Sequence, residues 1–90
     1  MAKKRERLEV IHDILKSVQD SGNNILPTRL LYASNLSPQM FKEYTEELLS
    51  KKLMSEVISN RKKYYSLTDK GFEFLEKYKL IVDFIDNFGL

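Results

Sequence analysis

The stretch "NLSPQMFKEYTEELLSKKLMSEVISNRKKYYSLT", residues 35–68, combines the start signals of a helix with the pattern of a β-hairpin. Ser37 can cap the free N–H groups of a helix, and Pro38 suits the first helical position and holds Ser37 extended. Core-facing positions then recur at steps of four and three: Phe41, Thr45 and Leu48. The stretch therefore begins with a predicted helix that starts at Ser37 and packs one face on a core.

Two runs of strand-forming residues, "LMSEVIS" and "KYYSL", follow this helix and predict a hairpin with a basic tip. Tyr65 belongs with Leu67 on the core face. Tyr64 lies on the other face, where it either packs on a sugar of a bound nucleic acid or simply covers the strand. A basic tip can be a solvated turn that prevents edge aggregation, or it can contact phosphate. The order of elements favours phosphate contact by the basic tip residues Arg61, Lys62 and Lys63.

Helices are predicted on both sides of this stretch. An apolar stripe predicts a first helix over about residues 5–19, formed by Leu8, Ile11, Leu15 and Val18. "DSGNN" ends that helix, and a short second helix runs from Pro27 to a tight turn at Asn35. Thr68 caps a last helix, which runs from Asp69 towards Asn87.

Composition narrows the classes of function that this chain can have. Ninety residues predict one domain, residues 1–90, and no apolar run reaches membrane-spanning length, so we expect a cytoplasmic protein. There is no cysteine, and no metal site can be drawn around the lone His12, which we interpret as a partly buried helix residue. With neither a paired nucleophile nor a glycine-rich phosphate loop, we expect no enzyme activity, no metal and no cofactor.

Positive charge is concentrated in two parts of the chain, although the net charge is only +2. Residues 1–7 carry four bases against one acid, and residues 28–70 carry eight bases against five acids. The amino-terminal bases could form a phosphate-seeking arm, but a frayed charged terminus is the favoured interpretation for Lys3, Lys4, Arg5 and Arg7.

The order of elements predicts an α+β, mainly α fold of the winged helix-turn-helix type. Its three-helix core and two-stranded wing occupy residues 5–67, and a C-terminal helix occupies residues 68–88. In this fold the third helix, residues 37–51, can lie in the major groove while the wing tip, residues 60–63, reaches phosphates or the minor groove. Ser37 and the N–H groups near Pro38 would bind a phosphate at the helix N-terminus.

Two segments resemble the archaeal 10a-type winged-helix DNA-binding proteins: "TRLLYASNLS", residues 28–37, and "YSLTDKGFEFL", residues 65–75. The resemblance implies a small dimeric protein of chromatin or transcription, associated with the nucleoid, that binds double-stranded DNA. It implies DNA contacts by Ser37, Gln39 and Lys42 and by Arg61, Lys62 and Lys63. For Arg29, a phosphate contact and a surface ion pair stay equally open.

The C-terminal helix carries a heptad seam, to which the resemblance gives the dimer interface. The seam steps by four, three, four and three residues: Phe74, Tyr78, Ile81, Ile85 and Phe88. Two heptads are too few to exclude packing on the chain's own domain, but a small core that needs support favours a homodimer.

Acidic residues on the third helix favour a different class of function. Glu43, Glu46 and Glu47 face outward with Lys42 as their only basic neighbour. Glu43 could accept a hydrogen bond from a cytosine amino group, but a solvated charge is the favoured interpretation. The alternative to a DNA-binding regulator or architectural protein is therefore a winged-helix module that binds another protein.

Overall fold

A computed structural model describes residues 6–90, with four helices and one antiparallel hairpin in this part of the chain. The elements are α1 (Arg7–Asp20), α2 (Pro27–Ser34), α3 (Pro38–Ser50), β1 (Met54–Ser59), β2 (Lys62–Leu67) and α4 (Asp69–Asn87). The predicted fold class and order of elements are confirmed.

The turn between α2 and α3 has the local geometry that the sequence predicts. Asn35 adopts the left-handed conformation with a φ of 57°, and its N–H donates to the Tyr32 carbonyl. Asparagine tolerates this conformation better than other residues with a side chain. Ser37 then caps α3, since its hydroxyl oxygen accepts from the Met40 N–H at 3.2 Å. These two residues set where α2 ends and α3 begins.

The core lies among α1, the inner faces of α2 and α3, and the wing. Its most deeply buried members are Ile14, Leu15, Val18, Leu30, Leu48 and Met54. The predicted α1 stripe is correct from Ile11 onward, whereas Leu8 in the first turn stays 57% exposed and lies outside the core. Tyr65 and Leu67 are buried on the inner face of β2, as predicted.

The loop before α2 pairs with β2 and adds a third, minimal strand to the wing. Ile25 donates its N–H to the Tyr65 carbonyl at 3.1 Å and accepts from the Tyr65 N–H at 2.8 Å. The Asn23 side-chain oxygen accepts from the Leu67 N–H at 2.7 Å. The sequence predicts a helix end and an apolar approach to α2 for this segment, and it gives no sign of the pairing with β2.

The junction of α3, β1 and α4 is closely packed. At the end of α3, the Leu53 N–H donates to the Leu48 carbonyl at 2.9 Å across Lys52, which is left-handed with a φ of 60°. Thr68 caps α4 by accepting from the Gly71 N–H, and its hydroxyl donates to the Lys52 carbonyl. A helix start and a helix end are therefore joined through a single threonine side chain.

The last part of α4 extends away from the core. Residues 81–90 are all exposed, although several are large and apolar. Within residues 6–90, no helix is both long enough and apolar enough to cross a membrane.

Candidate nucleic-acid interface

The wing tip is a two-residue turn. Ser59 pairs with Lys62 in the register of the hairpin, which leaves only Asn60 and Arg61 between the strands. Both have positive φ, 50° and 65°, the mark of a type I′ turn, whose twist matches that of the flanking strands. The turn is thus shorter than the predicted tip of residues 60–63, because Lys62 belongs to β2 together with Lys63.

The three basic residues of the tip have different partners. Lys63 lies 2.9 Å from a Glu56 carboxylate oxygen on the neighbouring strand, and its ammonium lies 5.6 Å from the centre of the Tyr65 ring. The hydrogen bond to Glu56, followed by the charge interactions with Tyr65 and Glu56, raises the pKa of Lys63. Arg61 and Lys62 are exposed and have no ion-pair partner within residues 6–90. They are the tip cations available to an external anion.

The outer face of α3 exposes both signs of charge. Gln39, Lys42, Glu43 and Glu46 are exposed, and the Lys42 ammonium lies only loosely near Glu46, at 4.0 Å. The Ser37 oxygen accepts from the backbone as a cap, so its hydroxyl proton is still available as a donor. The predicted residues of this helix are therefore accessible, but the helix face is not uniformly basic.

Arg29 lies in the first turn of α2 and is exposed. The surface ion pair that we considered for it has no partner among the described residues, 6–90. A phosphate contact by Arg29 stays a prediction.

The sequence analysis missed a cluster on the flank of α3. Glu47 accepts from Arg7 of α1 and from Lys51, whose ammonium lies 2.9 Å from the Glu47 carboxylate oxygen. The spacing of four between Glu47 and Lys51 could have shown that pair. Arg7 is 40 residues away, so local spacing gives no sign of its contact. Of the amino-terminal bases, Lys3, Lys4 and Arg5 lie outside the described residues.

The predicted seam of α4 divides into two parts. Tyr78 stacks on His12 of α1 with ring centres 4.3 Å apart, and Phe74 packs against the core and lies 6.0 Å from Tyr78. Burial, followed by the nearby charges of Glu9, Asp13 and Glu6, raises the pKa of the Tyr78 phenol. Ile81, Ile85 and Phe88 are instead exposed. The first part of the seam thus contacts its own domain, and the second part is accessible to another chain.

In the part of the chain that the structure describes, no three histidine, aspartate or glutamate side chains come together as a metal site would require. A helix-turn-helix followed by a basic hairpin defines a winged helix, and the sequence matches the winged helix-turn-helix family over residues 4–85. The chain belongs to that family.

Solved structures show the same fold. Sso10a-2, a DNA-binding protein from Sulfolobus solfataricus, is similar with a TM-score of 0.77 at 20% identity, over 93% of this chain and 85% of that one. F93 from STIV, a winged-helix DNA-binding protein, gives a TM-score of 0.73 at 21% identity, over 88% of this chain and 91% of that one. The predicted resemblance to the 10a-type proteins is therefore confirmed in the fold.

A relative from Methanocaldococcus jannaschii, described as an uncharacterized protein, is 35% identical over 74 residues. The match covers 82% of this chain but only 32% of the relative. The chain thus spans about a third of the length of that relative.

Proposed function

We propose that this protein binds double-stranded DNA as a homodimer and acts as a transcriptional regulator or an architectural chromatin protein associated with the nucleoid. The observation that carries the proposal is the wing tip, where Arg61 and Lys62 are exposed without an ion-pair partner among residues 6–90. Such cations at the end of a rigid hairpin suit the neutralisation of backbone phosphates. The fold supports the proposal, since DNA-binding proteins share it.

In the proposed complex, α3 lies in the major groove and the wing contacts the flanking backbone. The Ser37 hydroxyl and the Gln39 N–H bind a phosphate, since Pro38 has no N–H and the Met40 N–H already donates to Ser37. Gln39 and Lys42 face base edges, where glutamine can pair with adenine and lysine with guanine. Arg61 and Lys62 bind phosphates directly, and Lys63 contributes less because Glu56 already holds its ammonium.

The test is fluorescence anisotropy of a mixed-sequence duplex, titrated with protein at a series of salt concentrations. In the variant that combines Arg61→Gly with Lys62→Ala, we expect the slope of log affinity against log salt to fall by about two for each wing that contacts DNA, at about 0.9 per phosphate contact. Glycine adopts positive φ without steric cost, so the turn should be retained when glycine replaces Arg61.

The matched control combines Lys77→Ala with Lys79→Ala, which removes two exposed cations from α4. We expect this control to change the slope by much less than the tip variant. A tip variant that binds as the wild type does, or that loses no more than the control, contradicts the proposed role of the wing.

The exposed carboxylates of Glu43 and Glu46 favour a second candidate, a module that binds another protein through α3. Acidic side chains on this face repel phosphate but suit a basic protein surface. Folded wild-type protein that shows no salt-dependent binding to the duplex, even at about 50 mM salt, would support this candidate instead.

A further inference from the structure

One carboxylate on the flank of α3 serves two cations. Glu47 accepts from Arg7 at the first position of α1 and from Lys51 just after the last turn of α3. The three side chains together carry a formal charge of +1. Each cation keeps N–H groups that Glu47 does not occupy, because a guanidinium has five donors and an ammonium has three.

The cluster is open to solvent beside the predicted recognition helix. The Arg7 and Lys51 side chains are 55% and 58% exposed, whereas that of Glu47 is 22% exposed. A shallow groove of about 270 Å³ lies next to it, lined by Arg7, Met40, Glu43, Tyr44 and Glu47. The two cations are therefore more exposed than the carboxylate that they share, and Glu43 places a second carboxylate on the wall of the groove.

We propose that Arg7 and Lys51 form a second phosphate-contact site, and that Glu47 lowers the affinity of this site for DNA. The inference rests on the proposed function. A backbone phosphate would accept from the unoccupied N–H groups of both cations and would neutralise the net charge of +1. Glu47 repels the same phosphate and occupies part of the donor set, so it limits binding that does not depend on sequence.

Glu47→Gln tests the inference, because glutamine keeps the size of the side chain and one acceptor oxygen but removes the charge. The cluster then carries +2, and we expect the salt slope to become steeper by up to about one unit for each protomer that contacts DNA. Each such unit should raise the ratio of affinities at 50 and 200 mM salt by about three- to fourfold. The matched control is Glu73→Gln, which removes one exposed carboxylate from α4.

The opposite changes should have the opposite effect. Arg7→Ala or Lys51→Ala should each reduce the slope by up to about one unit. When Glu47→Gln is combined with both alanine substitutions, the slope should no longer become steeper. The two cations whose phosphate binding Glu47 lowers are then absent. Circular dichroism and thermal unfolding of each variant check that the fold is retained.

The outcomes separate this inference from the proposed function. A wild-type protein that binds DNA through its wing tip, while Glu47→Gln changes the slope no more than Glu73→Gln, overturns this inference alone. A gain that persists when Arg7 and Lys51 are both alanine also overturns it. Absence of salt-dependent binding by the wild type overturns the proposed function and this inference together.

Discussion

At the scale of single residues, close packing against Leu53 explains why position 71 is a glycine. The first turn of α4 lies so close to the end of α3 that a β-carbon at this position would be 2.1 Å from the Leu53 carbonyl oxygen. That oxygen belongs to the backbone and cannot rotate away as a flexible side chain could. A side chain at position 71 would therefore push α4 off the wing, which makes the glycine a packing requirement.

We expect Gly71→Ala to lower the free energy of unfolding by about 1–3 kcal/mol, the usual cost of inserting a group into a closely packed site. Urea unfolding followed by circular dichroism measures it. Glu73→Ala, at an exposed position of the same helix, should stay within about 0.5 kcal/mol of the wild type. Equal unfolding midpoints for the two variants would show that α4 does not pack this closely.

Tyr78 makes stability depend on pH in the alkaline range. Its pKa is raised in the folded protein, chiefly by burial, whereas in the unfolded chain the phenol titrates at its ordinary value of 10.0. The folded protein favours the neutral phenol. The contribution of Tyr78 to the free energy of unfolding is therefore complete below pH 10 and is lost as the pH rises above that value. Thermal unfolding between about pH 8 and 11.5 should show a steeper decline for the wild type than for Tyr78→Phe. Parallel declines would contradict the expected linkage.

At the scale of elements, the wing is held from both sides. β1 pairs with one edge of β2, and the loop before α2 pairs with the other through Ile25 and Asn23. A two-stranded hairpin alone is marginally stable in water. The additional hydrogen bonds therefore fix the direction in which the wing tip leaves the core.

Asn23 combines a hydrogen bond to β2 with a left-handed backbone, so two substitutions can separate these contributions. Asn23→Gly removes the bond to the Leu67 N–H without straining the backbone and should cost about 1 kcal/mol of unfolding free energy. Asn23→Ala also strains the backbone at a φ of 61° and should cost about 1 kcal/mol more. Urea unfolding gives both values. Amide exchange should also become faster at Leu67 in both variants, and unchanged exchange there would contradict the role of Asn23.

At the scale of the whole molecule, the end of α4 presents apolar side chains that no other part of residues 6–90 covers. Leu80, Ile81, Phe84, Ile85, Phe88 and Leu90 are all exposed large apolar residues. Monomeric proteins rarely expose a contiguous patch of this kind without a partner. A second copy of the chain, with its α4 packed against this surface, is the partner that the proposed function includes.

We expect the wild type to be a dimer by light scattering and a variant combining Ile81→Glu with Ile85→Glu to be a monomer, because buried unpaired carboxylates oppose association. Asp83→Lys is the control. Because successive residues of a helix are about 100° apart, Asp83 lies on the side of α4 opposite to Ile81 and Ile85. It should leave the mass of the dimer unchanged. A monomeric wild type at working concentration would refute the dimer.

The residues that set the ends of the elements were readable from the sequence. Asn35, Ser37, Pro38 and Thr68 act on backbone groups within about four positions of themselves, so their effects depend little on the rest of the fold. Helical periodicity likewise identified the buried faces of α1 and α3. The class of fold follows from these local signals, and so does the location of a basic turn between two strands.

Contacts between distant parts of the chain were decided only by the tertiary structure. Three contacts join segments that are far apart in the sequence: Ile25 with Tyr65, Arg7 with Glu47, and Gly71 with Leu53. No spacing rule predicts such pairs, because their distances depend on how whole helices and strands pack. The same packing decides that α4 begins on its own domain and ends exposed. The sequence by itself therefore determined the elements and the charge they carry, whereas tertiary packing decided which of those charges are paired within the chain and which are accessible to another molecule.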